Sequence, residues 1–320
     1  MISPQMFALR CFITCAAFVG TLGACQSAEP ARPELVKLPF AIPGAMENSP
    51  VVFQGRPILL LNYRDDTKNK TDKYVESMYL YAIDLQTGDR LVEFGKGHSF
   101  VSGFVDGKRL HVFASQGSNF DWFQSLTHFW TDDLETWHEE PAIRKRDGEH
   151  LFNCSVCRDG EGYLMAYETN LPVQFCFRFA RSRDLSHWED VPNLEFTGLS
   201  KEYSACPVIR YIAPYYYVIY LHAPLPGHNG WLSYLARSKD LATWQLSPFN
   251  PLLEAGAGEG KNNSDVDLFE HEGRTYLVYA TGDQATWGAA RMAQYAGPMQ
   301  EFFEAHFPAG ATFEELSAKH

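Results

Sequence analysis

Four carboxylic acids, Glu47, Glu168, Glu202 and Asp265, stand at the ends of short runs of apolar, β-branched and aromatic residues. Two carboxyl groups brought together in unlike surroundings can divide acid–base chemistry between them. The desolvated one keeps its proton near neutral pH while the other stays ionised. Tyr167 precedes Glu168 and Tyr203 follows Glu202, so burial beside a tyrosine makes either glutamate a candidate proton donor. Asp265, and after it Glu47, is the candidate base or nucleophile. Asn48, Arg64, His98, Asn153, Tyr203, His222, Asn263 and Asp283 lie at similar run ends and offer hydrogen bonds to a hydroxylated ligand. Trp287, with Trp122, Trp130 and Trp231, offers an aromatic face on which a ring can stack.

Residues this far apart in sequence meet only if the chain repeatedly returns to one place, and the repeats that would do so are visible. Thr131-Asp132-Asp133-Leu134-Glu135-Thr136-Trp137, Ser182-Arg183-Asp184-Leu185-Ser186-His187-Trp188 and Ser238-Lys239-Asp240-Leu241-Ala242-Thr243-Trp244 are copies of one turn, with tryptophans 51 and 56 residues apart. In each copy the aspartate is placed to accept backbone N–H groups while leucine and tryptophan plug the space between adjacent sheets. A hairpin that leads into a very hydrophobic strand occurs five times, with corners at Gln54-Gly55-Arg56, Asp106-Gly107-Lys108, Asp159-Gly160-Glu161-Gly162, between Tyr203 and His222, and at Glu270-His271-Glu272-Gly273. With Ser49, Ser99, Cys154, Ala205 and Asp265 taken as equivalent, the intervals are 50, 55, 51 and 60 residues.

A period near fifty residues is one four-stranded blade, so the chain is expected to be all-β, a five-bladed β-propeller over residues 35–320. Leu35 to Phe40 would close the ring by completing the last blade, and Pro298 to Phe307 would form a short outer helix. In such a ring the starts of first strands and the ends of second strands surround one central pocket. That pocket would gather the carboxylates and polar residues named above, with His150, Glu168 and Asn170 from blade three.

The five repeats, their SxDLxxW-like turns and Asn263-Ser264-Asp265-Val266-Asp267 resemble the five-bladed propeller glycosidases, families 43, 32, 68, 117 and 130 of the glycoside hydrolases. The resemblance implies cleavage of plant, algal or microbial oligo- or polysaccharides by two carboxylates. One protonates the leaving oxygen, and the other activates water or attacks carbon. It also implies a catalytic acid opening blade one, where this chain has Glu47. No cofactor is needed for that chemistry, and a structural divalent cation in the central channel stays open. Other readings are a carbohydrate-binding propeller without catalysis, a lyase or phosphorylase, and a metal enzyme built on His98, His150 and His222.

With 39 acidic against 27 basic side chains and a net charge of −12, the surface is unsuited to nucleic acid or to anionic lipid headgroups. Arg10, the apolar run Cys11 to Gly23 and Leu22-Gly23-Ala24-Cys25 resemble a bacterial lipoprotein signal over residues 1–24, with residues 25–34 as a tether. That implies export to the periplasm or outer membrane, with the membrane touched only through a lipid on Cys25. Cys154 and Cys157 lack a second pair at zinc spacing. They and Cys176 and Cys206 read as small buried hydrophobes.

Overall fold

Each of the three copies of the turn motif folds into the same knot of hydrogen bonds. Asp133 accepts the N–H groups of Glu135 and Thr136, both at 2.8 Å, and the Trp137 indole donates to the Leu134 carbonyl at 3.0 Å. Asp184 accepts from Ser186 and His187 while Trp188 donates to Leu185. Asp240 accepts from Ala242 and Thr243 while Trp244 donates to Leu241. The central leucines take left-handed φ values of 67°, 67° and 62°, and each tryptophan is thereby turned onto the blade before it. Trp137 stacks on Phe94 at 3.7 Å, Trp188 meets Phe113 edge-on and Trp244 stacks on Phe179.

The computed structural model describes residues 30–63, 78–117, 123–173, 175–198, 203–222, 230–283 and 287–319. After β1 (Val36–Pro43), blade one is β2 (Ser49–Phe53), β3 (Arg56–Tyr63), β4 (Tyr79–Asp84) and β5 (Arg90–Phe94). Blade two is β6 (His98–Asp106), β7 (Arg109–Gln116), β8 (Ser125–Thr131) and β9 (His138–Arg144). Blade three is β10 (Leu151–Asp159), β11 (Gly162–Thr169), β12 (Cys176–Ser182) and β13 (Glu189–Asp190). Blade four is β14 (Ser204–Ile212), β15 (Tyr215–His222), β16 (Leu232–Ser238) and β17 (Thr243–Leu246). Blade five is β18 (Ser264–His271), β19 (Arg274–Gly282) and β20 (Trp287–Tyr295), completed by β1. Helix α1 (Met299–Ala305) follows, and β21 (Glu315–Ser317) adds a fifth strand to blade four. Among the described residues no helix is long and apolar enough to cross a membrane.

The fold is the five-bladed propeller that the repeats predict, closed by an early strand. Five apolar clusters hold it, one at each blade junction. Leu60 and Ala82 meet Val101 and Val112 between blades one and two, and Phe113 and Leu126 meet Val156 and Met165 between two and three. Leu164 and Phe179 meet Val218 and Trp244, Leu235 and Tyr217 meet Leu277 and Tyr279, and Val278 and Ala290 meet Leu59 and Leu61. Phe302 and Phe303 seat α1 on the junction of blades four and five. Gly103 marks a close approach between blades, since a Cβ there would lie 2.5 Å from Leu60 of the preceding blade.

The repeat register differs from the one read from sequence. In blades two to five the first strand carries a one-residue β-bulge, so the last regular pairs before it are Ser99↔Ser115, Leu151↔Thr169, Ala205↔Leu221 and Ser264↔Ala280. Leu151 and Ser264, rather than Cys154 and Asp265, are therefore the counterparts of Ser99 and Ala205. The bulge changes which side chains are aimed at the propeller axis, because slipping a strand by one residue exchanges its faces.

Candidate active site

The bulges build the site. Phe100, Cys206 and Asp265 are the first bulge residues of blades two, four and five, and they adopt left-handed φ values of 57°, 50° and 51°. Glu47, just before β2, has the same conformation at 55°. For residues with a Cβ this backbone costs about 1–3 kcal/mol each, and such strain is retained where side chains must be aimed against their preference. In blade three the bulge contains Phe152 and Asn153, opposite Glu168 on β11.

Glu47, Asn48, Ser102, Asn153, Cys206 and Asp265 line one cleft with Asp267 beneath them, around a cavity of about 20 Å³. That is room for one water molecule. Glu168 is bonded to two of the lining residues, Asn153 and Cys206, and is only 3% exposed. Its Oε2 accepts hydrogen bonds from the Asn153 side-chain amide and the Cys206 backbone N–H, both at 2.9 Å. Burial pushes its carboxyl up to about 7; the hydrogen bonds from Cys206 and Asn153 oppose this, and the charge of Asp265 adds to it. The Cys206 thiol donates to Asp265 Oδ1 at 2.9 Å and accepts from Asn153 at 3.4 Å. Both carboxylates are thus tied to one residue, which keeps their oxygens within about 9 Å of each other by covalent geometry. Glycosidases of either stereochemical course work with carboxyl groups about 5–9.5 Å apart.

Tyr203 packs edge-on against Phe175 and Trp231, at 5.0 and 4.7 Å. Burial first, then the charges of Glu168, Cys206, Asp265 and Glu47, raise its hydroxyl far above the usual tyrosine range, so it is a neutral donor facing the acids. The contact continues through Phe152, Phe123 and Phe100, an arc of six rings spanning blades two to four. The acids of blades one and five stand across from it. Asn48 is 5% exposed, and both of its amide atoms lack a hydrogen-bond partner among the described residues.

Below the cleft, Asp267 accepts from Ser49 Oγ and from Arg210 Nη2, each at 2.6 Å, so a guanidinium already balances the charge in the channel. Among the described residues no group of three or more His, Cys, Asp or Glu side chains is arranged to hold a metal ion.

Other polar residues singled out by sequence are placed elsewhere. His98 has one ring nitrogen against the Lys96 carbonyl and the other against Thr127 Oγ1. His222 is buried in the blade-four sheet beside Tyr220 and Tyr234. The Asn263 side chain is engaged by Lys37, Glu259 and the Asn262 carbonyl. Asp283 is exposed just after β19, and Trp287 begins β20, its side chain outside the described residues. Glu202, Arg64, Trp122, Cys25 and the signal segment also lie outside the described residues.

Two expectations are corrected. Tyr167 does not shield Glu168: neighbours on a strand face opposite ways, and the Tyr167 hydroxyl is bonded to Asp190 at 2.7 Å. Cys206 is no inert space-filler but a polar link between Glu168 and Asp265. A cysteine directly before Pro207, level with Glu47 and Asp265 in the bulge register, is the signal that would have found it.

Residues 149–306 match the profile of Glycosyl hydrolases family 43. Similar solved structures include a thermostable family-43 glycoside hydrolase, 12% identical with TM-score 0.61, covering 81% of this chain and 91% of that one. The family-43 protein BlXynB of Bacillus licheniformis is 13% identical with TM-score 0.58, over 81% of this chain and 54% of its own, so the chain spans about half its length. The β-1,2-mannobiose phosphorylase of Listeria innocua is 13% identical with TM-score 0.60, over 84% and 98%. No curated protein sequence matches. The chain therefore resembles the propeller glycoside hydrolases in fold over 81–84% of its length and in sequence over residues 149–306.

Proposed function

We propose that this chain hydrolyses glycosidic bonds, with Glu168 as general acid and Asp265 as base or nucleophile. The observation that carries the reading is the gathering of Glu168, Asp265 and Glu47 around one cleft, with burial raising the Glu168 carboxyl. Burial and the charge of Asp265 hold Glu168 near 7, so it carries a transferable proton at neutral pH. Its Oε2 accepts two hydrogen bonds that hold the carboxyl in place. Asp265, held by the Cys206 thiol, is the ionised partner beside space for one water molecule. The attack of that water, or of Asp265 itself, on the anomeric carbon breaks the bond as Glu168 protonates the departing oxygen. Glu47 completes the negative wall that stabilises an oxocarbenium-like transition state. The unsatisfied amide of Asn48 is available to a sugar hydroxyl, as is the neutral hydroxyl of Tyr203, and the aromatic arc accepts the apolar face of a sugar ring.

The substrate class follows from this reading: an uncharged oligo- or polysaccharide of plant, algal or microbial origin. The chemistry needs no cofactor, and Arg210 supplies positive charge in the channel where a divalent ion would otherwise sit. Exported and anchored by a lipid on Cys25, the enzyme would work at the cell envelope; Cys25→Ala should then leave it in the soluble fraction, whereas unchanged membrane fractionation would reject the anchor. For the activity, aryl furanosides, aryl pyranosides and natural oligosaccharides are incubated with the chain from Gln26 onward, with and without inorganic phosphate and chelator. Release of reducing sugar indifferent to both additives supports hydrolysis. Phosphate-dependent release of a sugar phosphate would replace it with phosphorolysis, and binding without turnover would leave a lectin-like propeller.

A further inference from the structure

Cys206, which composition and spacing read as a small buried hydrophobe, stands between the two acids. It stands in the left-handed bulge position that carries Asp265 in the next blade, and Glu47, just before β2, has the same backbone conformation in the blade after that. Its backbone N–H is bonded to Glu168, its thiol donates to Asp265, and its sulfur receives the Asn153 amide, which itself bonds Glu168. A carboxylate here would put a third like charge into the cleft and force at least one of the three to stay protonated. An aliphatic side chain would leave Asp265 Oδ1 without this donor. The thiol avoids both outcomes, being uncharged and yet able to donate. Burial, then Asp265, Glu168 and Glu47, hold its proton in place well above the usual thiol range, so it is neither a nucleophile nor an easily oxidised thiolate.

Resting on the glycosidase reading above, we infer that Cys206 is the positioning residue of the acid–base pair: through S–H donation it orients and keeps ionised Asp265 while its backbone fixes Glu168, and it touches no reacting atom itself. Among the described residues, the groups shown to face it are Asp265, Glu168, Glu47, Asn153 and Tyr203.

The test compares Cys206→Ala and Cys206→Ser with the parent chain. Hydrogen bonding to the ionised form lowers a carboxyl pKa, so losing the donor should move the acidic limb of the kcat/KM profile up by about one pH unit. The alanine variant should lose roughly 10–100-fold in kcat with KM within about twofold, as for a group that acts on the transition state alone. Serine keeps a donor and should restore both rate and limb to within about threefold. An alanine variant with parental kcat and pH limbs would overturn the assignment, leaving the thiol a space-filler. Asp265→Ala is measured in parallel: if it retains parental turnover, the glycosidase site itself is wrong, a failure distinct from that of Cys206. A readout independent of turnover is the infrared S–H stretch that disappears in Cys206→Ala. It should lie lower than the bands of the buried Cys154 and Cys157 and rise in Asp265→Ala; a band unmoved by loss of Asp265 would also sink the inference.

Discussion

Replacing Glu168 by glutamine should cost activity and add stability at alkaline pH, and both follow from one number. The carboxyl is 3% exposed and its proton affinity is raised from 4.5 to about 7. A raised folded-state pKa means that folding prefers the protonated form. The contribution of this group is therefore fully present below the unfolded value of 4.5 and is lost as pH climbs through 7. At about 1.4 kcal/mol per unit, the ionised group costs the fold on the order of 3 kcal/mol at pH 8. Glutamine presents its carbonyl to the Cys206 and Asn153 donors without bearing charge, so Glu168→Gln should recover up to that amount at pH 8 and almost nothing at pH 4. Denaturant unfolding at the two pH values measures it. The same change removes the general acid and should lower kcat by about 10²–10⁴-fold for a poor leaving group. It should do much less for an activated aryl glycoside that departs without protonation, and the alkaline limb near pH 7 should vanish. Equal loss on both leaving groups, or a variant less stable at pH 8 than the parent, would refute this account of Glu168.

Glu259 carries the opposite sign: burial opposes its charge, but Gly256, Lys37, Tyr279 and Asn263 together hold it down to about 2. Its contribution is present above 4.5 and lost as pH falls through 2, so Glu259→Gln should destabilise the protein at pH 7 by up to about 3 kcal/mol with the difference from parent closing below pH 3. Lys37→Met breaks the bond between the closing strand β1 and blade five and should lower Tm while leaving KM unchanged. Trp244 is fully buried against Phe179 and Phe196, and Trp244→Ala should cost about 3–5 kcal/mol in equilibrium unfolding.

The architecture was legible because its signals are periodic. Asp133, Asp184 and Asp240 announce identical turns, Trp137, Trp188 and Trp244 mark blade junctions, and the run from Leu35 had nowhere to go but the last blade. The site was legible as a set of chain ends rather than as a geometry. Glu168, Asp265, Glu47, Asn48, Asn153 and Tyr203 do converge, whereas His98 and Asn263 are consumed by local hydrogen bonds that a linear reading cannot weigh. The bulges account for most of the rest. An extra residue in β6, β10, β14 and β18 leaves no compositional mark, yet it decides that Cys206 faces the axis. The misattributed shielding of Glu168 has a related cause: Tyr167 is its neighbour in sequence and lies across the sheet in space, while Tyr203, from the next blade, is the tyrosine whose hydroxyl feels its charge.

The measurement that bears most directly on the two-carboxylate site is the turnover of Asp265→Asn beside the parent chain, on whichever glycoside the parent cleaves fastest. The asparagine keeps an oxygen to accept the Cys206 thiol and preserves the cleft, so only the charge is lost. A fall in kcat of at least about 100-fold, with substrate still bound and no response to chelator, is the predicted result. Parental turnover in Asp265→Asn would contradict the site and the mechanism built on it.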